Sequence, residues 1–268
     1  MLITVPYHQD EQIALPVEGD VSVAPAPASF SALSPTSSSA SPPAGSLWPR
    51  VAAVGAAVAA QIACTQLPVT VVSGDCLIGP AVLAGAQRTG ADPALVWFDA
   101  HGDVHTLATS TSGYPGGLAL RLAMGANPEL LATPLALRPV PPHRVTLVGA
   151  RDLDPAEAAY LAESPVKQVA VAAVQAPAGP FIVHVDVDVA DPGEVAGLRY
   201  PAPGGVATSE VVAAVRRLTG TGRVVALSVA CTWKGGVASP AVSSAALPGA
   251  ALPGRDEFVA ALVAAGPR

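Results

Sequence analysis

The 268-residue chain is poor in charge. Only 13% of its residues are Asp, Glu, Lys or Arg, and Lys167 and Lys234 are its only lysines. Binding to nucleic acid needs a basic face that displaces counterions. Here the formal net charge is −6 and Arg216-Arg217 is the one adjacent basic pair, so that class is excluded. Cysteine is scarce too. Cys64, Cys76 and Cys231 are too few and too far apart for a disulfide framework, and suit a reducing cytoplasm. Long apolar runs are missing: the longest, Val51 to Ala60, is stopped by Gln61, well short of the roughly 20 residues of a membrane span. The opening MLITVPYHQDEQ is acidic where a secretory leader is basic. Aromatics make up 4%, so the core has to be built from many small side chains. The expectation is a soluble cytoplasmic protein whose partner is a small molecule, neither nucleic acid nor membrane, with homo-oligomerisation left open.

What is present is alternation. Apolar runs at 2–5, 69–72, 94–98, 144–149, 166–171, 181–187 and 223–229 read as strands. Helical patterns at 48–64, 78–88, 117–125, 154–163, 208–218 and 255–265 fall between them. Short apolar strands separated by helices predict a parallel sheet covered on both faces. The fold class expected is α/β, a three-layer α-β-α sandwich with a central, mostly parallel sheet in one domain spanning 1–268. Residues 23–46, rich in Pro, Ser and Ala and without charge, read as a surface loop, because too little chain precedes them to fold alone.

In such sheets ligands sit beyond the carboxyl ends of the strands, and that is where the unusual residues lie. WFDAHGD ends one apolar run with Asp99, His101 and Asp103; VHVDVDVADP ends another with His184, Asp186 and Asp188. Residues two apart project to one side of an extended chain, so each set can converge. Carboxylates gathered in one crevice need a counter-charge, which a divalent metal supplies. Mixed carboxylate and imidazole ligands suit manganese, with nickel, iron and zinc left open. Two such strand ends are enough for two ions about 3.5–4 Å apart. A single Asp-x-His-x-Asp could merely open a solvated loop; two clusters of equal spacing, each ending an apolar strand, favour metal.

The segments SGDC, DAHGD, TSGYPGG, RDLDPAE and HVDVDVADP with PAPGG, in this order over roughly residues 70–235, resemble the ureohydrolases: arginase, agmatinase and formimidoylglutamase. The resemblance implies an arginase-like fold and hydrolysis of a guanidino or amidino carbon by a manganese-bridging hydroxide. It places Asp99 and Asp186 between two metals, Asp103 and Cys76 on the first, and His101 and Asp188 on the second. Cys76 stands where the family usually has histidine; its thiolate is softer and prefers zinc or iron. Cysteine there, with TSGYPGG downstream, is closest to the hydroxyarginine amidinohydrolase-like branch. Asp154 and Glu157 match the segment that holds a substrate α-amino group, but would equally open an ordinary helix. Ser112 and Tyr114 are placed to line the pocket.

Three departures bear on activity. Gly116 replaces a proton-shuttling histidine, which a less basic hydroxylated leaving group would tolerate. His105 replaces a substrate-contacting asparagine, and reads as a hydrogen-bond donor or as a solvated loop histidine. Cys231 replaces a glutamate that pairs with the guanidinium, and cannot supply that bidentate charged contact. His184 reads as a support or core histidine. The expected function is a metal-dependent hydrolase of a C–N bond in a small guanidino, hydroxyguanidino or amidino compound. Asp103, His105 and Cys231 are its candidate catalytic residues. The alternative is a degenerate family member that binds without turnover; a more distant variant uses Cys231 as a covalent nucleophile activated by His105 or His184.

Overall fold

The computed structural model describes residues 1–24, 47–231 and 254–268. The Pro/Ser/Ala-rich segment expected at 23–46 therefore lies, apart from Val23 and Ala24, outside the described residues. Ten strands are described: β1 (Leu2–Val5), β2 (Tyr7–His8), β3 (Glu11–Gln12), β4 (Val21–Ser22), β5 (Val69–Ser73), β6 (Ala94–Phe98), β7 (Val145–Val148), β8 (Lys167–Val169), β9 (Phe181–Asp186) and β10 (Val224–Ala230). Eight of them form one sheet in the order β4-β1-β5-β10-β9-β6-β7-β8, and every pairing in it is parallel. The helices are α1 (Trp48–Ala63), α2 (Ile78–Arg88), α3 (Ala119–Ala123), α4 (Ala132–Leu135), α5 (Pro155–Glu163), α6 (Thr208–Thr219) and α7 (Arg255–Ala264).

Strand alternation divides the apolar side chains between two cores. Leu95, Trp97 and Ile182 join α1 and α2 on one face, through Val54, Val58, Ile62 and Ala81. Val96, Phe98, Val183 and Val185 join α6 and α7 on the other, through Val211, Val215, Phe258 and Leu262. This is the three-layer sandwich expected. β5, β6 and β9 are buried along their whole lengths, as central parallel strands covered on both faces must be. Each fully buried Val, Leu or Phe contributes about 1.5–3 kcal/mol relative to exposure, so many small side chains can sustain this core.

Strand order positions the site. From β5 the chain passes to β6, then outward through β7 and β8; β9 and β10 return later to fill the gap. The carboxyl ends of β5, β10, β9 and β6 therefore stand side by side, where a doubly wound sheet opens its crevice.

Differences from the sequence reading have local causes. The helix expected at 117–125 is a 3-10 turn, Gly116–Leu118, followed by the short α3, because paired glycines start a helix poorly. The strand expected at 166–171 is only β8, since Val171 enters a 3-10 turn. The β2–β3 hairpin, β4 and α4 carry too few residues for any periodicity to register.

Candidate metal centre

Cys76 leaves the turn after β5. Asp99 follows β6 directly, with His101 and Asp103 next; Asp186 is the last residue of β9, and Asp188 sits in the 3-10 turn Val187–Val189. All six line one cavity of about 260 Å³. They converge through turns rather than through alternation along a strand: Asp103 has φ +52°, a left-handed conformation rare outside glycine, asparagine and aspartate.

Two groupings bring three ligand atoms within 4.8 Å of one another: Cys76, Asp99 and Asp103, and Asp99, His101 and Asp188. Asp99 is common to both. Asp186 Oδ2 lies 3.0 Å from Cys76 Sγ, and Asp186 Oδ1 accepts from Asp188 N at 3.0 Å. Three further donors orient the carboxylates. His101 N donates to Asp99 Oδ1 at 2.7 Å, Trp97 Nε1 to Asp99 Oδ2 at 3.2 Å, and Ala100 N to Asp188 Oδ1 at 3.1 Å. His101 Nδ1 stands 3.1 Å from Asp188 Oδ2 and 3.4 Å from Asp99 Oδ1. Asp103 Oδ2 is buried with no hydrogen-bond partner among the described residues.

The electrostatics are those of a site short of positive charge. Burial, then the Asp99 and Asp186 charges, push the Asp103 carboxyl well above its ordinary value. Burial, with Asp188 and Asp99, does the same to Asp186. Asp188 is raised to about 6 by burial and by Asp99. Burial and the surrounding carboxylates also push the Cys76 thiol up. Burial opposes charge on His101, but its bonds to Asp188 and Asp99 outweigh this and push it up to about 12. Burial likewise opposes the charge on Asp99, yet the His101 contact holds that carboxyl below its usual range. One imidazolium thus faces several carboxylates. The donor set, the excess negative charge and the unpartnered oxygen fit divalent metal.

The outer wall brings together the other expected residues: His105, Ser112, Tyr114, Asp154 and Glu157 all line the cavity. His105 is neither solvated nor free, since Nε2 lies 2.9 Å from Asp154 Oδ2 and Nδ1 lies 3.2 Å from Thr109 Oγ1. Asp154 and Glu157 form the capping box of α5. Glu157 Oε2 accepts from Asp154 N at 3.1 Å, and Oε1 accepts from Val104 N at 3.3 Å. The helix-start reading therefore holds for both, although both also face the cavity. Among the described residues Cys231 is fully buried and is not one of those that line the cavity. Burial, then the Asp186 charge, push its thiol up. Its proposed bases are engaged elsewhere, His105 with Asp154 and His184 with Cys76.

Sequence reasoning missed several residues. Asp152 and Tyr200 line the cavity. The Tyr200 ring lies 4.6 Å from that of Tyr114, whose hydroxyl is 3.1 Å from His8 Nε2. Arg151 donates to the carbonyls of Asp188 and Val189, each at 3.0 Å, and so ties the β9 turn in place. Asp152 and Arg151 lay in the quoted RDLDPAE, two residues from Asp154 and just before it; Tyr200 and His8 had no comparable signal.

Fold and site together define the class: a three-layer parallel α/β protein with a buried centre of carboxylate, imidazole and thiol at the carboxyl edge of its sheet. The chain belongs to the arginase family, whose profile matches residues 7–232. An arginase of Eremothecium gossypii is 33% identical over 192 residues, 65% of this chain and 48% of that protein. The N(omega)-hydroxy-L-arginine amidinohydrolase of Streptomyces lavendulae is 28% identical over 147 residues, 52% of each chain. The chain thus spans about half the length of the curated relatives it matches. The solved structure of Entamoeba histolytica arginase in complex with L-ornithine shares the fold, with a TM-score of 0.72 at 16% identity over 98% of this chain and 96% of that one. Among the described residues no helix is long and apolar enough to cross a membrane.

Proposed function

We propose that this protein is a metal-dependent hydrolase that cleaves a C–N bond in a small guanidino, hydroxyguanidino or amidino compound. One observation carries the reading. Three strand ends deliver Cys76, Asp99, His101, Asp103, Asp186 and Asp188 to one cavity, with Asp103 Oδ2 buried and unpartnered among the described residues. An uncompensated charge of this kind is costly to bury, and two divalent ions would compensate it. Cys76, Asp99 and Asp103 would hold one and Asp99, His101 and Asp188 the other, with Asp186 at 3.0 Å from Cys76 Sγ beside them. Manganese suits the carboxylate and imidazole ligands. When bound, such ions polarise a substrate and lower the pKa of water toward neutrality.

The chain's own residues do the positioning. Trp97 Nε1 and the backbone N–H groups of Ala100, His101 and Asp188 fix the carboxylates before substrate arrives, so little reorganisation accompanies reaction. The acidic cavity attracts a cationic or weakly basic amidine. Asp154 and Asp152 stand on its wall to receive an amino group, with Ser112, Tyr114 and Tyr200 around them. His105, anchored on Asp154, offers an imidazole where substrate and wall meet. Neither Gly116 nor the buried Cys231 offers a side chain that could protonate the leaving group or pair with a guanidinium. A hydroxyguanidine, whose leaving group is less basic, needs these least. All three cysteines are free thiols, which supports a reducing, cytoplasmic setting.

The positions of Gly116 and Cys231 also favour a second reading, a family member that binds a small molecule without turnover. The test begins with elemental mass spectrometry of protein grown with added manganese, followed by a screen of guanidino, hydroxyguanidino and amidino compounds for release of urea or ammonia. Bound divalent metal and turnover abolished by Asp186→Ala support the hydrolase. Folded protein without metal, or hydrolysis undiminished in Asp186→Ala, refutes it; metal with binding but no hydrolysis selects the second reading.

A further inference from the structure

Behind the sulfur end of the cluster, His184 is held from three sides. On the sheet it is in register with Trp97 of β6 and Ser228 of β10. Its ring stacks on the Trp97 indole with centroids 3.7 Å apart, and Nδ1 lies 3.1 Å from Ser228 Oγ. The start of α2 comes so close that a Cβ on Gly79 would stand 2.6 Å from the Trp97 ring and 3.3 Å from His184 Nδ1. Packed this way, the ring presents Nε2 to Cys76 Sγ at 3.3 Å.

The shortest contact of that sulfur, 3.0 Å to Asp186 Oδ2 with Asp99 Oδ2 farther off at 4.0 Å, sets the direction of the hydrogens. In that contact the Cys76 S–H donates to Asp186. The sulfur then accepts from Nε2–H of His184, and Nδ1 accepts from the Ser228 hydroxyl. Hydroxyl, imidazole, thiol and carboxylate form one directed chain. A cation held by the sulfur would take the place of the S–H proton, with the Nε2–H donor still against the sulfur. The buried, unpartnered Asp103 Oδ2 belongs to the same residue grouping as Cys76 and Asp99, whereas the grouping of Asp99, His101 and Asp188 contains no sulfur.

We propose that the two halves of the centre are chemically unequal. His184 positions Cys76 as a sulfur donor, so that the Cys76–Asp99–Asp103 half takes a thiophilic divalent ion of the cobalt or zinc class, while the Asp99–His101–Asp188 half takes manganese. Thiolate favours softer ions and carboxylate with imidazole favours harder ones; an anchored imidazole behind a ligand fixes its orientation. This rests on the metal-centre reading above, but its test reads a ligand rather than turnover.

Metal-free full-length protein carrying Cys64→Ser, which removes the exposed thiol, is titrated with Co2+. The expected result is a near-ultraviolet thiolate-to-cobalt charge-transfer band that survives excess Mn2+, disappears in Cys76→Ser and persists in Cys231→Ser. His184→Phe keeps a ring beside Trp97 but removes both nitrogens. It should weaken the cobalt binding that the band reports by roughly 10–100-fold, and His184→Gln, which retains a donor, should recover part of that. Overturning results are a parent without the band, a band kept in Cys76→Ser, a band lost to excess Mn2+, or His184→Phe binding cobalt as tightly as the parent. If circular dichroism shows His184→Phe unfolded, Ser228→Ala is read instead: weaker cobalt binding supports the proposal and unchanged binding overturns it. Hydrolysis scored alongside separates the two readings. Manganese-dependent turnover with no band sinks this inference alone, and a band without turnover sinks the hydrolase alone.

Discussion

Replacing Asp103 by asparagine should stabilise the metal-free protein and destabilise its metal-bound state relative to the parent. Asp103 is 6% exposed, its Oδ2 has no partner among the described residues, and its φ is +52°. A buried polar group left unsatisfied costs about 1–3 kcal/mol, more when charged. Asparagine has the same shape and tolerates the left-handed backbone. It carries no charge against Asp99 and Asp186, and it offers an N–H2 to their oxygens. The expected gain without metal is therefore about 1–3 kcal/mol, and each 1 kcal/mol moves Tm by roughly 2–4 °C in a chain of this size class. Because Asp103 is raised above its ordinary value in the folded state, its contribution is full at pH below the unfolded value near 4 and is lost as pH rises. The variant's advantage should thus be absent in acid and grow toward neutrality. Metal reverses the order: an ion at 100 times its Kd stabilises the parent by about 2.7 kcal/mol, and the variant gains less. The assay is thermal denaturation of both proteins at pH 7.5, in chelator and in excess Mn2+, with a chelator series extending down to pH 4. Destabilisation by Asp103→Asn in chelator would refute the orphan-oxygen argument. An equal rise of both proteins on adding metal would refute the role of Asp103 as a ligand.

Other outcomes follow from the cavity wall. A Cβ at position 116 would lie 2.4 Å from Tyr114 Cε1, so Gly116→His alone should lower both stability and turnover, whereas paired with Tyr114→Ala it should be tolerated. A double-mutant cycle with an interaction energy below about 0.5 kcal/mol would count against this coupling. Tyr114→Phe removes the 3.1 Å contact with His8 Nε2 and should raise KM several-fold with little change in kcat; steady-state kinetics on the best compound of the screen would show otherwise if the hydroxyl acts in the chemical step. Asp75 is fully buried, accepts from Leu77 N and Gln9 N, and is raised to about 6, chiefly by burial. Its stabilising contribution is complete below the unfolded value near 4 and falls away through pH 6, so the stability of Asp75→Asn relative to the parent should rise by about 2–3 kcal/mol between pH 3.5 and pH 7. Urea titrations giving a flat difference would contradict it. Cys231→Ala should leave kcat within a few-fold of the parent; loss of turnover in folded protein would revive the covalent route.

How much of this was legible depends on the range of the contacts. Asp99, His101, Asp103, Asp186 and Asp188 could be found because each follows an apolar run that no charged residue should end without reason. That they meet was foreseen, but not how: Asp103 arrives through a left-handed residue and Asp188 through a 3-10 turn, which period-two spacing does not describe. The Asp154 and Glu157 capping box was readable because it is local. What could not be read depended on register. His184 meets Ser228 and Cys76 only because β9 lies between β6 and β10, and no pattern within one segment reports which strands are neighbours. Cys231 matched a motif by position, yet it is fully buried and outside the cavity's lining residues, which a motif does not report.

Inner and outer parts of the cavity answer differently to the question of lost function. On the wall, the Tyr114 ring occupies the space that a side chain at 116 would need and packs against Tyr200, so any larger residue at 116 requires a change at Tyr114. At the floor the carboxylates are kept, although Cys76 stands in place of the usual histidine. Asp103, Asp186, Asp188 and Cys76 remain buried against one another in an arrangement that burdens the metal-free chain. Neutral or apolar replacements there would stabilise the fold, as buried charge clusters do when exchanged for well-packed groups. A protein that only bound a neutral small molecule at the rim would have no use for so costly a floor. The cost is intelligible if the floor carries cations, and turnover in the compound screen then decides between a change of substrate at the rim and an end to chemistry.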